Sequence, residues 1–188
     1  MMTMFFSGLL LFFTLHFAAA TPLIRRRIVT TLGEMPWKGV VSLGSLGAIT
    51  LICFGWSETP NTLLFAPNAW AFQYSPILVS SGLVLFVIGG GNLNGYIRRA
   101  LHHPMLIGIM LWATTHLLAN GGLRETWLFG SFLAFALYSF CSLWLAGKRA
   151  TFTPALKWDF IGLGIGLFIS IGVMHGHKWL YGVAVPLY

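Results

Sequence analysis

Acidic residues and cysteines are scarce in this chain of 188 residues. It contains four aspartates and glutamates against eleven lysines and arginines, and charged residues make up 8% of the total. A soluble domain carries about 25% charged residues, so the composition excludes a soluble globular protein. The 57% hydrophobic content predicts an integral membrane protein instead.

The same scarcity argues against a hydrolytic zinc enzyme. No two histidines within one apolar run have the i,i+4 spacing of a helical zinc site, and no acidic residue lies beside them. The two cysteines, Cys53 and Cys141, fall in different apolar runs, near opposite faces of the membrane. Because a disulfide needs Cα atoms within about 7 Å, we expect each cysteine to be a small apolar packing residue.

Long apolar runs dominate the chain. About 17–25 mainly apolar residues cross a bilayer as one helix, and these runs lack the alternation of a membrane β-strand. We therefore predict an all-α, polytopic membrane protein, a six-transmembrane-helix bundle forming a single domain over residues 1–188. The predicted spans are Met2–Ala20, Gly39–Trp56, Ala71–Gly90, Pro104–Ala119, Trp127–Ala146 and Trp158–His175.

The positive charges lie in alternate loops. Nine of the eleven lysines and arginines fall in predicted loops one, three and five. The positive-inside rule places these loops in the cytoplasm and both termini in the periplasm. We interpret the net charge of +7 as topology and lipid contact, not as nucleic-acid binding. No basic residue precedes the first run, so we expect it to be a retained helix and not a cleaved signal peptide.

Histidines within the apolar runs are the most informative polar side chains. His16 lies in the first run, His116 lies deep in the fourth, and His175 closes the sixth. An ionisable ring in lipid is rare and indicates a functional site when a partner can be named. His103 begins the fourth run, about 20 Å from His116 along a helix and about 140° away in direction, so these two cannot hold one metal ion.

Haem suits such histidines better than zinc does. Two imidazoles from different helices commonly hold haem iron in a bundle, and this site needs no carboxylate. Trp112, His116 and Asn120 fall on one helix face at i, i+4 and i+8. The indole could flank a porphyrin, and Asn120 could bond to the imidazole nitrogen that does not bind iron. A purely structural interhelical hydrogen bond from His116 is the alternative.

Three sequence patterns in the second half of the chain are typical of a known family. They read R-x-x-x-H-P, L-W-x-x-x-H-L-L-A-N-G and L-F-G-S-F-L-A, and further patterns lie at both ends. The residues that carry them are Arg99, His103, Pro104, 111–121 and 128–134, with 8–10, His16, 32–34, 38–39, His175, 179–180, 182–183 and Pro186 towards the ends. On these residues the whole chain resembles the NnrU family of bacterial inner-membrane proteins.

The resemblance implies a six-helix membrane protein of denitrification, linked to the expression or function of nitrite and nitric oxide reductases. A plastid relative, 15-cis-zeta-carotene isomerase, shares the domain and binds haem b through two histidines, one of which a cysteine can replace. Carried over by motif, the axial ligands are His16 and His116. The exchanging cysteine is Ala113 here, which argues against redox-switched isomerase chemistry. Arg98 and Arg99 could neutralise the haem propionates from the inner side.

Both the ligand pair and the function keep alternatives. Counted from the predicted span ends at 1.5 Å per residue, His16 lies about 20 Å and His116 about 12 Å below the outer face. His103 or His175 is therefore the alternative partner. A bis-histidine iron has no open position, which favours a redox or sensing role, with denitrification or respiratory membrane proteins as partners. The alternatives are an isomerase or oxidoreductase acting on a polyene lipid, and a haem-free assembly or transport factor.

Overall fold

The computed structural model describes residues 2–182 and residue 185, and the regular elements within that part of the chain are all α-helices. Val183 and Pro186, which belong to the C-terminal family pattern, lie outside the described residues. The eight described helices are α1 (Met2–Ala20), α2 (Pro22–Leu32), α3 (Glu34–Glu58), α4 (Ala69–Gly90), α5 (Tyr96–Leu101), α6 (Pro104–Asn120), α7 (Leu123–Leu145) and α8 (Leu156–Tyr181).

Five of the described helices are long and apolar enough to cross a membrane: α1, α3, α4, α7 and α8. This confirms a multi-pass, α-helical membrane protein. The remaining predicted span, the fourth, corresponds to α6, which is apolar but has 17 residues. At 1.5 Å per residue it is about 26 Å long, slightly less than the hydrocarbon thickness of about 30 Å. The six-span count and the periplasmic termini stay predictions.

Two of the predicted loops contain short helices. The first loop forms α2, which begins with Pro22, a residue whose fixed φ suits the first helical position. It ends at Gly33, whose φ of 88° lies in a region that favours glycine. The third loop forms α5. Some helices also extend beyond the predicted spans: α3 begins at Glu34 and α8 reaches Tyr181. Polar side chains are tolerated in these extensions because the helix has left the hydrocarbon there.

The first of two compact units comprises Met1–Leu63 and Gly122–Ser131. Its centre is the pair α1 and α3, which approach closely at glycine. A Cβ on Gly8 would lie 2.7 Å from the carbonyl oxygen of Ala48, and one on Gly55 would meet the backbone of Phe5. Phe5 is fully buried there. Small residues thus let the two helix backbones meet, as is usual between membrane helices.

The second unit comprises Leu64–Gly121 and Phe132–Tyr188. Its central helix is α4, which packs against α6 on one side and α8 on another. A Cβ on Gly82 would lie 2.9 Å from the carbonyl oxygen of Gly108 in α6, and one on Gly166 of α8 would lie 2.7 Å from Cα of Val84. The glycines of the third and sixth predicted spans therefore provide close helix packing at these positions. Gly164 has no atom within 4 Å of its Cβ position, so it takes no part.

Candidate functional site

Three histidines of the predicted spans have the same local geometry. In each, Nδ1 lies within hydrogen-bond distance of the backbone carbonyl oxygen one helical turn earlier. The distances are 2.8 Å from His16 to Phe12, 2.9 Å from His116 to Trp112 and 2.9 Å from His175 to Ile171. A carbonyl oxygen can only accept, so Nδ1 carries the proton and, in the neutral ring, Nε2 carries the lone pair. This tautomer suits metal ligation through Nε2, with the backbone fixing the ring.

His103 adopts the opposite arrangement. Its Nε2 lies 2.9 Å from the carbonyl oxygen of Lys148, so Nε2 carries the proton. Burial lowers the pKa of His103 below its ordinary value of 6.5, and the positive charges of His102 and Arg149 lower it further. Ligating a metal through Nε2 would require breaking the bond to Lys148. His103 is therefore the less suitable of the alternative ligands.

His116 lies in an aromatic setting within the second unit. The centre of its ring is 5.3 Å from that of Trp112, and Trp112 in turn packs edge-on against Phe132 of α7. The side chain of Asn120 donates a 2.7 Å hydrogen bond to the backbone carbonyl of His116, not to its imidazole. The bond predicted from Asn120 to the ring is thus replaced by the carbonyl of Trp112. Trp112, His116 and Asn120 still share one face of α6, as predicted.

His177, in α8 of the same unit, had no role assigned from the sequence patterns. Its imidazole interacts electrostatically with that of His116. His175, two positions earlier and so about 200° away around the helix, is exposed. Of the two histidines at this end of α8, His177 is therefore the one associated with His116. The spacing His175-x-His177 at the end of a predicted span is the sequence feature that could have found it.

His16 belongs to the first unit, whereas the other histidines singled out belong to the second. Its ring stacks on that of Phe12, with centres 4.0 Å apart and planes 18° apart. The side chain is half-buried, near the end of α1 that leads into α2. Stacking and the bond to the Phe12 carbonyl fix the ring from two directions. A fixed ring with a defined tautomer is what ligation by His16 requires.

The histidines fit a haem better than a chelated metal ion. Among the described residues, no group of three or more histidines, cysteines, aspartates or glutamates lies together in a way that could hold a metal ion. Haem needs two imidazoles and an apolar, aromatic surrounding, and the donor chemistry of His16 and His116 meets the first need. Ala113, where the family relative carries its exchanging cysteine, is fully buried.

Asp159 organises the loop end of the second unit, and sequence reasoning missed it. It lies in the first turn of α8 and is 5% exposed. Its carboxylate accepts hydrogen bonds from the backbone N–H groups of Tyr96 (2.8 Å) and Ile97 (3.0 Å), and so caps the start of α5. It is one of four acidic residues and lies at the start of the predicted span Trp158–His175, which was the available indication.

Arg98, proposed as a partner for haem propionates, is bound by the residues that precede α5. Its two terminal nitrogens donate to the side-chain oxygens of Asn94 (2.7 Å) and Asn92 (2.9 Å). Its guanidinium also lies 5.1 Å from the centre of the Phe152 ring. Arg98 therefore stabilises the local fold. Arg99 is exposed and keeps the propionate role as a prediction.

A groove of about 590 Å³ runs along the second unit between α4 and α8. It is almost entirely apolar, with the hydroxyl groups of Ser80 and Ser81 as its polar part. Its apolar walls include Pro76, Ile77, Val84, Leu163, Leu167 and Met174. Its apolar lining suits a hydrocarbon chain.

Comparison with known proteins supports the resemblance over nearly the whole chain. The sequence model of the family described as NnrU protein matches residues 4–185. Neither the curated proteins nor the solved structures gave a match. The matched range includes all six histidines and both compact units. The chain belongs to the NnrU family.

Proposed function

We propose that this protein binds haem b in the bacterial inner membrane and acts in the redox chemistry or sensing of denitrification. It does so as a six-span protein with both termini in the periplasm. His16 and His116 would hold the haem iron. The observation that supports this pair is their shared tautomer, with Nδ1–H bonded to a backbone carbonyl and the lone pair on Nε2.

The chain's own residues prepare the site. The carbonyls of Phe12 and Trp112 hold the two imidazoles in fixed orientations, which reduces the entropy lost on ligation. The rings of these same two residues lie beside the imidazoles and exclude water. Haem b, when bound, supplies one-electron redox chemistry, and two strong nitrogen ligands favour electron transfer or sensing over substrate binding.

The tautomers also favour this pair over the alternatives. His103 presents a protonated Nε2, which is already bonded to the carbonyl of Lys148. His175 has the suitable tautomer but is exposed on α8. His16 and His116 are both half-buried beside an aromatic ring, and so better protected from competing water than the exposed His175, which is a further reason for choosing them.

Optical spectroscopy of the purified protein tests the proposal. The protein, expressed with ample haem, should show a Soret band and the sharp reduced bands of a six-coordinate, low-spin b-type haem. His16→Ala and His116→Ala should each abolish these bands or convert them to a five-coordinate, high-spin form. His175→Ala, which removes a histidine of the same local geometry, is the matched control and should leave the spectrum unchanged.

Two results would contradict the proposal at different levels. A protein without a Soret band would exclude the cofactor. A wild-type spectrum in both single variants would exclude this ligand pair while keeping the cofactor, and His103→Ala and His177→Ala would then identify the pair. For the denitrification role, loss of the gene in a denitrifying host should lower nitrite or nitric oxide reductase activity, and His116→Ala should fail to restore it.

The groove between α4 and α8 favours a second candidate, an isomerase or oxidoreductase acting on a polyene lipid. Its apolar lining suits a hydrocarbon chain. Expression in a carotenoid-producing host should then change the isomer profile of the polyenes, and Ser81→Leu, which fills the groove, should prevent the change. An unaltered profile with the wild-type protein would exclude this activity.

A further inference from the structure

The helix α2 (Pro22–Leu32) is separated from its neighbours by a break at each end. Thr21 is extended, with φ of −88° and ψ of 111°, and Pro22 restarts the helix. Gly33, with φ of 88° and ψ of 160°, ends it before α3 begins. These breaks allow α2 to run in a different direction from α1 and α3 and make it an element in its own right.

The lengths of its neighbours place α2 at the membrane surface. Helix α1 has 19 residues, or about 28 Å at 1.5 Å per residue, and α3 has 25, or about 37 Å. Helix α3 exceeds the hydrocarbon thickness of about 30 Å and α1 nearly equals it, so neither leaves room for α2 within that layer. Three consecutive arginines in α2 would be very costly within that layer. The segment that joins the two spans must therefore lie where hydrocarbon meets water.

One face of α2 is apolar and only partly covered by protein, with Ile28 half-buried. Ile24, Ile28 and Leu32 recur at i, i+4 and i+8, and so share a face. None of the residues of α2 is buried, and Ile24 and Leu32 are 46% and 52% exposed. An amphipathic helix with these features, next to a membrane, lies in the interface with its apolar face towards the acyl chains.

The charges on α2 select the kind of lipid. Arg25 donates to both carboxylate oxygens of Glu34, at 2.6 and 2.8 Å, and Lys38 lies 3.4 Å from the same carboxylate. That acid is thus already compensated. Within the described part of the chain, Arg26 and Arg27 are exposed and have no ion pair. They lie about 160° and 100° from Ile28 around the helix, so Arg27 borders the apolar face and Arg26 points away from it.

We propose that α2 is an interfacial helix that binds anionic phospholipid headgroups through Arg26 and Arg27, with Ile24, Ile28 and Leu32 inserted among the acyl chains. Arg27, at the edge of the apolar face, reaches the phosphate layer, and its planar guanidinium can donate two hydrogen bonds to one phosphate. Arg26 contributes through the surface potential. This surface depends on α2 alone and is independent of haem binding.

Depth can be measured with a fluorophore on each side of α2. Cys53 and Cys141 are exposed and would first be replaced by alanine in the full chain. A single label at Ile28→Cys should be quenched by lipids brominated in their acyl chains. The same label at Thr30→Cys, about 160° away, is the matched control and should be quenched much less. Equal quenching at both positions would overturn the interfacial orientation.

Headgroup selectivity is measured with the label at Ile28→Cys in nanodiscs of phosphatidylcholine containing a small fraction of brominated phosphatidylglycerol. A cation near an anionic surface strengthens association about fivefold, so Arg26→Gln/Arg27→Gln should lower the preference for phosphatidylglycerol by up to about 25-fold at low salt. Arg27→Gln alone should lower it more than Arg26→Gln alone. The control Arg26→Lys/Arg27→Lys keeps both charges and should retain most of the preference.

Two outcomes would refute lipid recognition. One is an absence of preference for phosphatidylglycerol in the wild-type protein, which would leave the arginines for an acidic protein partner. The other is a preference that the double glutamine variant and 0.5 M salt leave unchanged, since binding through exposed charges must weaken under screening. An unaltered helix content by circular dichroism in each variant excludes unfolding as the cause.

Discussion

Replacing Asp159 should release the start of α5 without disturbing the packed helices. The carboxylate, 5% exposed, accepts two backbone hydrogen bonds from Tyr96 and Ile97 at 2.8 and 3.0 Å. A hydrogen bond to a charged group contributes about 1.5–3 kcal/mol, so Asp159→Ala should destabilise α5 locally by about 3 kcal/mol or more. Asp159→Asn keeps one accepting oxygen and should cost about half as much.

Hydrogen exchange of the segment 92–103 measures this local stability. Since 1.4 kcal/mol corresponds to a factor of ten, the protected amides of this segment should exchange about 100-fold faster in Asp159→Ala and about tenfold faster in Asp159→Asn. Glu58→Ala, which removes an exposed acid from the other unit, is the control for the change in charge. Exchange in Asp159→Ala within a factor of three of wild type would show that the cap does not stabilise α5.

Three further variants test the packing, a helix end and a titrating group. Gly108→Ala places a methyl group 2.8 Å from a backbone nitrogen of α4 and should destabilise the protein by about 1–3 kcal/mol in denaturant titrations, whereas Gly164→Ala, with nothing within 4 Å, should be nearly neutral. Arg124→Lys loses the planar stacking on Trp56 and should lower the stability of the first unit by about 0.5–1 kcal/mol in the same titrations. Burial lowers the pKa of His103, so the folded state favours its neutral form. The free energy of unfolding should therefore be highest above pH 6.5 and fall as the pH is lowered, and His103→Gln should make this pH dependence less steep.

The long helices could be predicted from the sequence because they depend on local composition, whereas the pairing of one helix with another is seen only in the fold. Apolar runs of bilayer length are visible as such, and Gly82 and Gly166 mark places where another helix backbone comes close. Charged flanks hide the true helix ends, because hydropathy falls where the helix leaves the hydrocarbon. For this reason the predicted start of the second span, Gly39, lies five residues after the true start of α3 at Glu34.

The short helix α5 could not be predicted because a residue distant in the sequence stabilises it. Helix α5 has six residues, too few to be stable alone, and its N-terminal cap comes from Asp159, more than 60 positions later in the chain. The tautomers of His16 and His103 likewise depend on which carbonyl each ring meets in the folded chain. The family pattern could identify candidate ligands, but their different suitability follows from these contacts.

Two of the arginines that contact protein stabilise helix ends, so part of the net charge of +7 has a structural role. Arg124 donates to the carbonyl oxygen of Trp56 at 2.7 Å and lies 4.9 Å from the centre of the same indole, in the last turn of α3. Arg149 repeats the arrangement with Trp144, at 3.2 and 3.7 Å, in the last turn of α7. Arg124 thus adds a donor to a carbonyl in the last turn of its helix, and Arg149 adds a second donor to the Trp144 carbonyl, which also accepts from the N–H of Gly147 at 3.1 Å. Both guanidiniums oppose the negative end of a helix dipole. A charge held in this way is not available to a partner, so ligand recognition by the basic residues is best sought on α2, where Arg26 and Arg27 are exposed.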